Sequence, residues 1–101
     1  MRVEDITLIA GDLAGVRTSV VDGLIQWRLK GRLVARQLDA TSIVIRAEFD
    51  VRDMLVERHP HTFSVPPRFA KHMIVVADLA GDAGAIEDAI EAAWELQRRS
   101  L

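Results

Sequence analysis

The segment from Gly23 to Arg46, GLIQWRLKGRLVARQLDATSIVIR, constrains the fold more than any other part of the chain. Ile25, Trp27 and Leu29 alternate with Gln26, Arg28 and Lys30, the period of two that gives a strand one buried and one open face. Lys30-Gly31 offers a two-residue turn, with glycine supplying a positive φ. Asp39 to Ser42 offers a second turn, after which Ile43, Ile45 and Ala47 share one face and Arg46 takes the other. The segment reads as a three-stranded meander whose apolar side carries the core, Trp27 included.

The register beyond Lys30-Gly31 has two solutions. With a two-residue loop, Trp27 lies opposite Val34, and Arg36 shares a face with Ile25. With a three-residue loop, Leu33 and Ala35 turn inward, and Arg32 and Arg36 join Arg28 and Lys30 outside. A slip of one residue moves every side chain to the other face. The extent of any basic surface depends on that turn.

Charge is distributed unevenly. The net charge is −2, which is not the balance of a dedicated nucleic-acid binder. Yet Arg17 to Arg36 holds five basic residues against Asp22 alone, while Asp78 to Glu95 holds six acids and no base. A basic sheet region and an acidic helix face are expected.

The remaining elements follow from periodicity and caps. Glu4 to Ala14 reads as a first helix through Ile6, Ile9, Ala10 and Leu13, with Gly15 as its stop. Val16 to Asp22 has the β-branched character of a short strand. Asp50 reads as the cap of a second helix that ends before Pro60. Thr62 to Val65 reads as a strand, Arg68 to Lys71 as a loop or the tip of a long hairpin, and Met73 to Ala77 as a central strand. Asp82 caps a last helix whose stripe is Ile86, Ala89, Ile90, Ala93 and Trp94. The expected fold is α+β: one two-layer domain over 1–101, an antiparallel five-stranded sheet with helices packed on one face. The order is α-β-β-β-(β)-α-β-β-α, the bracketed strand being optional.

Chemistry-bearing motifs are sparse. With no cysteine there is neither a disulfide framework nor a thiolate site. His59 and His61 would need His72 as a third metal ligand, and nothing in their spacing makes the three converge. Ser19, Ser42, Ser64 and Ser100 lack the context of a nucleophile, and no glycine-rich phosphate loop precedes a helix. The expectation is a non-enzymatic chain with no catalytic residue, metal or cofactor. The stretch MRVEDITLIAGDLAG is unlike a signal peptide, and no apolar run reaches the roughly 18–20 residues that span a bilayer. A cytoplasmic location without a membrane partner is expected.

From Glu4 to about Gln97 the pattern resembles the MmcQ/YjbR family. EDITLIAGDLAGV, opening at Glu4, resembles the family's first helix, EDVRAIALALPGV. Trp27, Arg28, Leu29, Lys30, Gly31 and Arg32 match its aromatic–basic–aliphatic–any–Gly–basic run, with Val34-Ala35-Arg36 following. Leu55, Pro60 and Phe63 match a helix end followed by Pro and Phe, and Pro67 to Val76 resembles the family's Pro-His-Tyr…Trp-Val segment. Arg68 and Phe69 stand where His-Tyr is usual, and Met73 or Ile74 replaces the tryptophan. The resemblance implies a five-stranded antiparallel sheet with helices on it, akin to secretion chaperones, and DNA binding through a double-wing motif. Carried onto this chain, the first wing would use Arg28, Lys30, Arg32 and Arg36, and the second Arg68 and Lys71, for phosphate neutralisation without base readout. The competing expectation is a protein-interaction or self-associating module with no nucleic-acid role, monomeric or homodimeric.

Overall fold

In a computed structural model, which describes residues 1–101, the meander lies within a six-stranded sheet. The elements in order are α1 (Val3–Gly11), β1 (Val16–Val21), β2 (Leu24–Leu29), β3 (Arg32–Gln37), β4 (Ser42–Arg46), α2 (Phe49–Arg58), β5 (Phe63–Ser64), a 3-10 turn (Pro67–Phe69), β6 (Ile74–Asp78) and α3 (Ala83–Arg99). Every neighbouring pair is antiparallel, in the order β1-β2-β3-β4-β6-β5. The α+β class and the antiparallel sheet are as expected, but the strand count is six and not five. The bracketed strand is real, because Asp22-Gly23 (φ 52° and 79°) forms a tight turn joining β1 to β2.

The three helices pack on one face of this sheet. Ile6 and Ala10 of α1, Leu55 of α2, and Ile86, Ala89, Ile90 and Ala93 of α3 meet Trp27, Ile43, Ile45, Val75 and Ala77 in the main core. Trp27 is fully buried, and its indole N–H donates to Thr7 Oγ1 at 3.1 Å. Trp94 is only half-buried, with its N–H donated to the Ala14 carbonyl at 2.9 Å. Asp82 caps α3 by accepting from the Ala85 amide at 3.0 Å, as expected. No helix is long and apolar enough to cross a membrane.

Several boundaries differ from those read off the sequence. Helix α1 stops at Gly11, not Ala14, since glycine continues a helix poorly. The cap of α2 is Glu48, in extended conformation, so Asp50 lies inside the first turn and favours the positive end of the dipole. β5 has two residues, and the Pro66-Pro67 pair starts a 3-10 turn, not an open loop. At the β3–β4 turn, the Asp39 carboxylate accepts from the Thr41 amide at 2.9 Å and from the Ser42 hydroxyl at 2.8 Å. These bonds, the Thr41 amide first, hold its pKa below the ordinary carboxylate value.

The β2–β3 register is neither of the two simple solutions. The turn has two residues, Lys30 (φ 48°) and Gly31 (φ 82°), and Leu29 faces Arg32 across it. The pairing then shifts between Arg28 and Trp27, so Trp27 lies opposite Ala35 and not Val34. Val34 and Ala35 are both fully buried in the main core, two residues of β3 against one of β2, which is a β-bulge. A bulge interrupts the ladder, and side chains take up the backbone groups on either side of it. Gln97 of α3, itself buried, donates its amide to the Leu33 carbonyl at 2.6 Å, and Gln37 Oε1 accepts from the Ile25 amide at 3.1 Å. Replacing Gln97 by Leu strands the Leu33 carbonyl against an apolar side chain and is expected to cost about 1–3 kcal/mol. Urea denaturation measures it; a loss of only a few tenths would mean that water substitutes for Gln97.

Candidate anion-binding sheet face

Residues opposite each other in an antiparallel pair point to the same side of the sheet. Applied to the observed register, that rule collects the arginines. Arg17 lies opposite Arg28, Gln26 opposite Arg36, Arg36 opposite Val44, and Arg46 opposite Ile74. All are on the face away from the helices, because the alternating set Trp27, Ala35, Ile45 and Val75 points into the core. The bulge produces this arrangement: beyond it, the parity of β3 is reset and Arg36 emerges on the same side as Arg28.

The connection from β5 to β6 folds back over this face. Phe69, from the 3-10 turn, packs on a second small apolar cluster of Val44, Ile74 and Val76. The Arg68 guanidinium sits 4.7 Å from the Phe69 ring centroid and that of Arg36 5.9 Å. Both fall within the range of cation–π attraction. Arg52 of α2 holds the segment down, donating to the Ala70 and His72 carbonyls, each at 3.0 Å. A shallow pocket of about 190 Å³ results, with Leu33, Val44, Phe69 and Ile74 as its apolar lining and Arg36, Arg46 and His72 as its polar groups.

This face is predominantly basic; the one acid on its strands is Asp78, opposite Ser42 at the end of β6. The ion pairs of the molecule are Arg52–Asp53, Arg98–Glu95 and Arg99–Glu48, and none involves Arg17, Arg28, Arg36, Arg46 or Arg68. Arg28 bonds to neutral partners, Gln26 Oε1 at 2.9 Å and the Gly31 carbonyl at 2.8 Å. Arg17 and Arg28 form a like-charge cross-strand pair, an arrangement that costs stability. The acids Glu87, Asp88 and Glu91 lie exposed on α3, across the sheet.

The residues expected from the sequence separate into two groups. Arg28, Arg36 and Arg68 come together on the open face. Lys30 is the first residue of the β2–β3 turn, and Arg32, opposite Leu29, lies on the helix side of the sheet. Arg32 therefore does not join Arg28 and Arg36; the two-residue turn puts it on the core parity, and the bulge acts only beyond it. Lys71 is exposed in the turn after the 3-10 segment. Arg17, Arg46, Phe69 and His72 complete the face. Arg46 was readable from its parity against Ile43 and Ile45; Arg17 was not, because its pairing with Arg28 depends on a turn at Asp22-Gly23 outside the two turns expected. Phe69 stood out only as a departure from the family's His-Tyr, and nothing in the sequence marked Arg52. The histidines His59 and His61 lie apart from His72: His59 faces Asp82, with Nδ1 3.8 Å from Oδ2, and His72 lines the pocket.

Comparison with known proteins finds no matching family model, no similar curated protein and no similar solved structure.

Because these arginines make no ion pair, removing their charge should not weaken the fold. Arg36→Gln and Arg46→Gln are each expected to leave stability within about 0.5 kcal/mol of the parent. Thermal unfolding checks this; a loss above 2 kcal/mol in either would make the arginine a structural element.

Proposed function

We propose that this protein is a non-enzymatic, MmcQ/YjbR-like domain that binds nucleic acid through the arginines of its open sheet face. The observation that carries the reading is the gathering of Arg17, Arg28, Arg36, Arg46 and Arg68 on the face away from the helices, none of them ion-paired. The Arg17–Arg28 like-charge pair is held at a cost to folding, and an anionic ligand offsets that cost when bound. A polyanion suits the layout better than a compact anion, since the arginines are spread across β1 to β4 and the Pro67–Phe69 turn. The resemblance through Trp27 to Arg36 falls on the strands that carry the face. The binding surface in this reading is the sheet face supplemented by the folded-back segment around Arg68, in place of two projecting wings. Arg28, Arg36, Arg46 and Arg68 neutralise phosphates, and Lys30 and Lys71 add charge at the rim. None of these groups is placed to read base edges, so binding is expected to be largely independent of sequence.

A DNA titration at several salt concentrations tests this. The apparent binding constant should fall steeply with salt, and Arg28→Ala combined with Arg36→Ala should flatten the logarithmic slope by about 1.4–1.8, the contribution of two phosphate contacts. Absence of binding at low salt, or a slope that the double substitution leaves unchanged, removes the reading.

A further inference from the structure

The two edges of the sheet are unequal. At one end β5 has only two residues, Phe63 and Ser64, and a very short edge strand is a common protection against unwanted pairing. At the other end β1 runs for six residues, VRTSVV, with no proline, no lysine and no bulge in its pairing with β2. Its side chains are exposed beyond Val16, including Val20 (66% exposed) and Val21 (46%). An extended edge with exposed valines and a single charge, Arg17, to guard it is a template for another strand.

The backbone identifies which groups are free. The two-residue turn at Asp22-Gly23 makes Val21 and Leu24 a hydrogen-bonded pair, so Ser19 and Arg17 also bond inward to β2. The Ile25 amide supports this phase, since it points away from β1 to Gln37 Oε1. The outward groups are those of Thr18 and Val20, because the Val16 amide is already bonded to the Leu13 carbonyl at 3.2 Å.

We propose that this edge pairs with β1 of a second copy, antiparallel about a twofold axis at Ser19, joining two six-stranded sheets into one. That register sets Thr18 against the partner copy's Val20 and the reverse, so all the free outward groups bond reciprocally. It sets Arg17, the single charge of the strand, against Val21 and keeps the two copies of Arg17 apart. It covers the exposed valines. Residues of equal parity face each other, so the helices of both copies lie on one side and the two arginine faces form one continuous surface on the other. Self-complementarity of backbone and parity within one strand, with no like charges set opposite each other, points to a second copy and not to an unrelated peptide.

The chain has no cysteine, so an introduced thiol is unique. On the axis, the two Ser19 residues form a pair without hydrogen bonds, the close-approach type in which a disulfide can form. Sedimentation equilibrium without nucleic acid should show a dimer, and mild oxidation of Ser19→Cys should link it covalently. Val21→Cys, displaced from its symmetry mate, should not crosslink. Thr18→Pro removes an amide that points outward and should yield a monomer with an unchanged circular dichroism spectrum. If that variant does not fold, Val20→Lys on the same edge decides, and it too should be monomeric. The proposal is overturned by a monomer up to the solubility limit, by a dimer that survives Val20→Lys, or by equal crosslinking of Ser19→Cys and Val21→Cys. DNA binding plays no part in these measurements, so either proposal can fail alone.

Discussion

Trp27 is fully buried at the middle of β2, and two consecutive residues of β3, Val34 and Ala35, are buried with it on the same side of the sheet. A regular strand cannot put neighbours on one face, so β3 bulges opposite the indole. The rest of the molecule accommodates that choice. Thr7 of α1 accepts the indole N–H, and Gln97 of α3 takes up the carbonyl of Leu33 beside the bulge. The helices thus pack on the sheet and also complete its interrupted hydrogen bonding.

The same bulge separates the charges. Without it, a two-residue turn at Lys30-Gly31 would send Arg36 to the helix side, where a guanidinium would need an acid or would remain desolvated at a cost of several kcal/mol. With it, Arg36 reaches the open face between Gln26 and Val44, while Arg32 stays at the rim of the other side. A packing requirement of one aromatic residue therefore determines the composition of a surface on the opposite face. The apolar part of the open face formed by Val44, Ile74 and Val76 is covered by Phe69 and Leu38. What is left is a field of guanidinium groups around a shallow apolar floor.

Much of this was readable from local pattern. The stripe of α3, its Asp82 cap, the alternation of β2 and the Lys-Gly turn each depend on a few neighbouring residues, and those elements formed where expected. The bulge was not readable, because LVAR is compatible with either parity when taken alone; only the demand to bury both Val34 and Ala35 against three helices selects the shift. The fold-back of Pro67 to Phe69 was hidden for a related reason. It depends on Arg52, distant in sequence, donating to the backbone of that segment. The candidate arginines were visible as a dense basic run, but their division between two faces is a tertiary property.

In the proposed function the face opposite the helices, and not the β2–β3 tip or the acidic helix, meets an anionic partner. Assigned NMR spectra of backbone amides and arginine side chains, followed through addition of a short oligonucleotide, test it most directly. The largest shifts are expected at Arg28, Arg36, Arg46 and Phe69, with none along Glu87, Asp88 and Glu91. Shifts confined to Lys30 and Arg32, or to the exposed residues of α3, would contradict the claim.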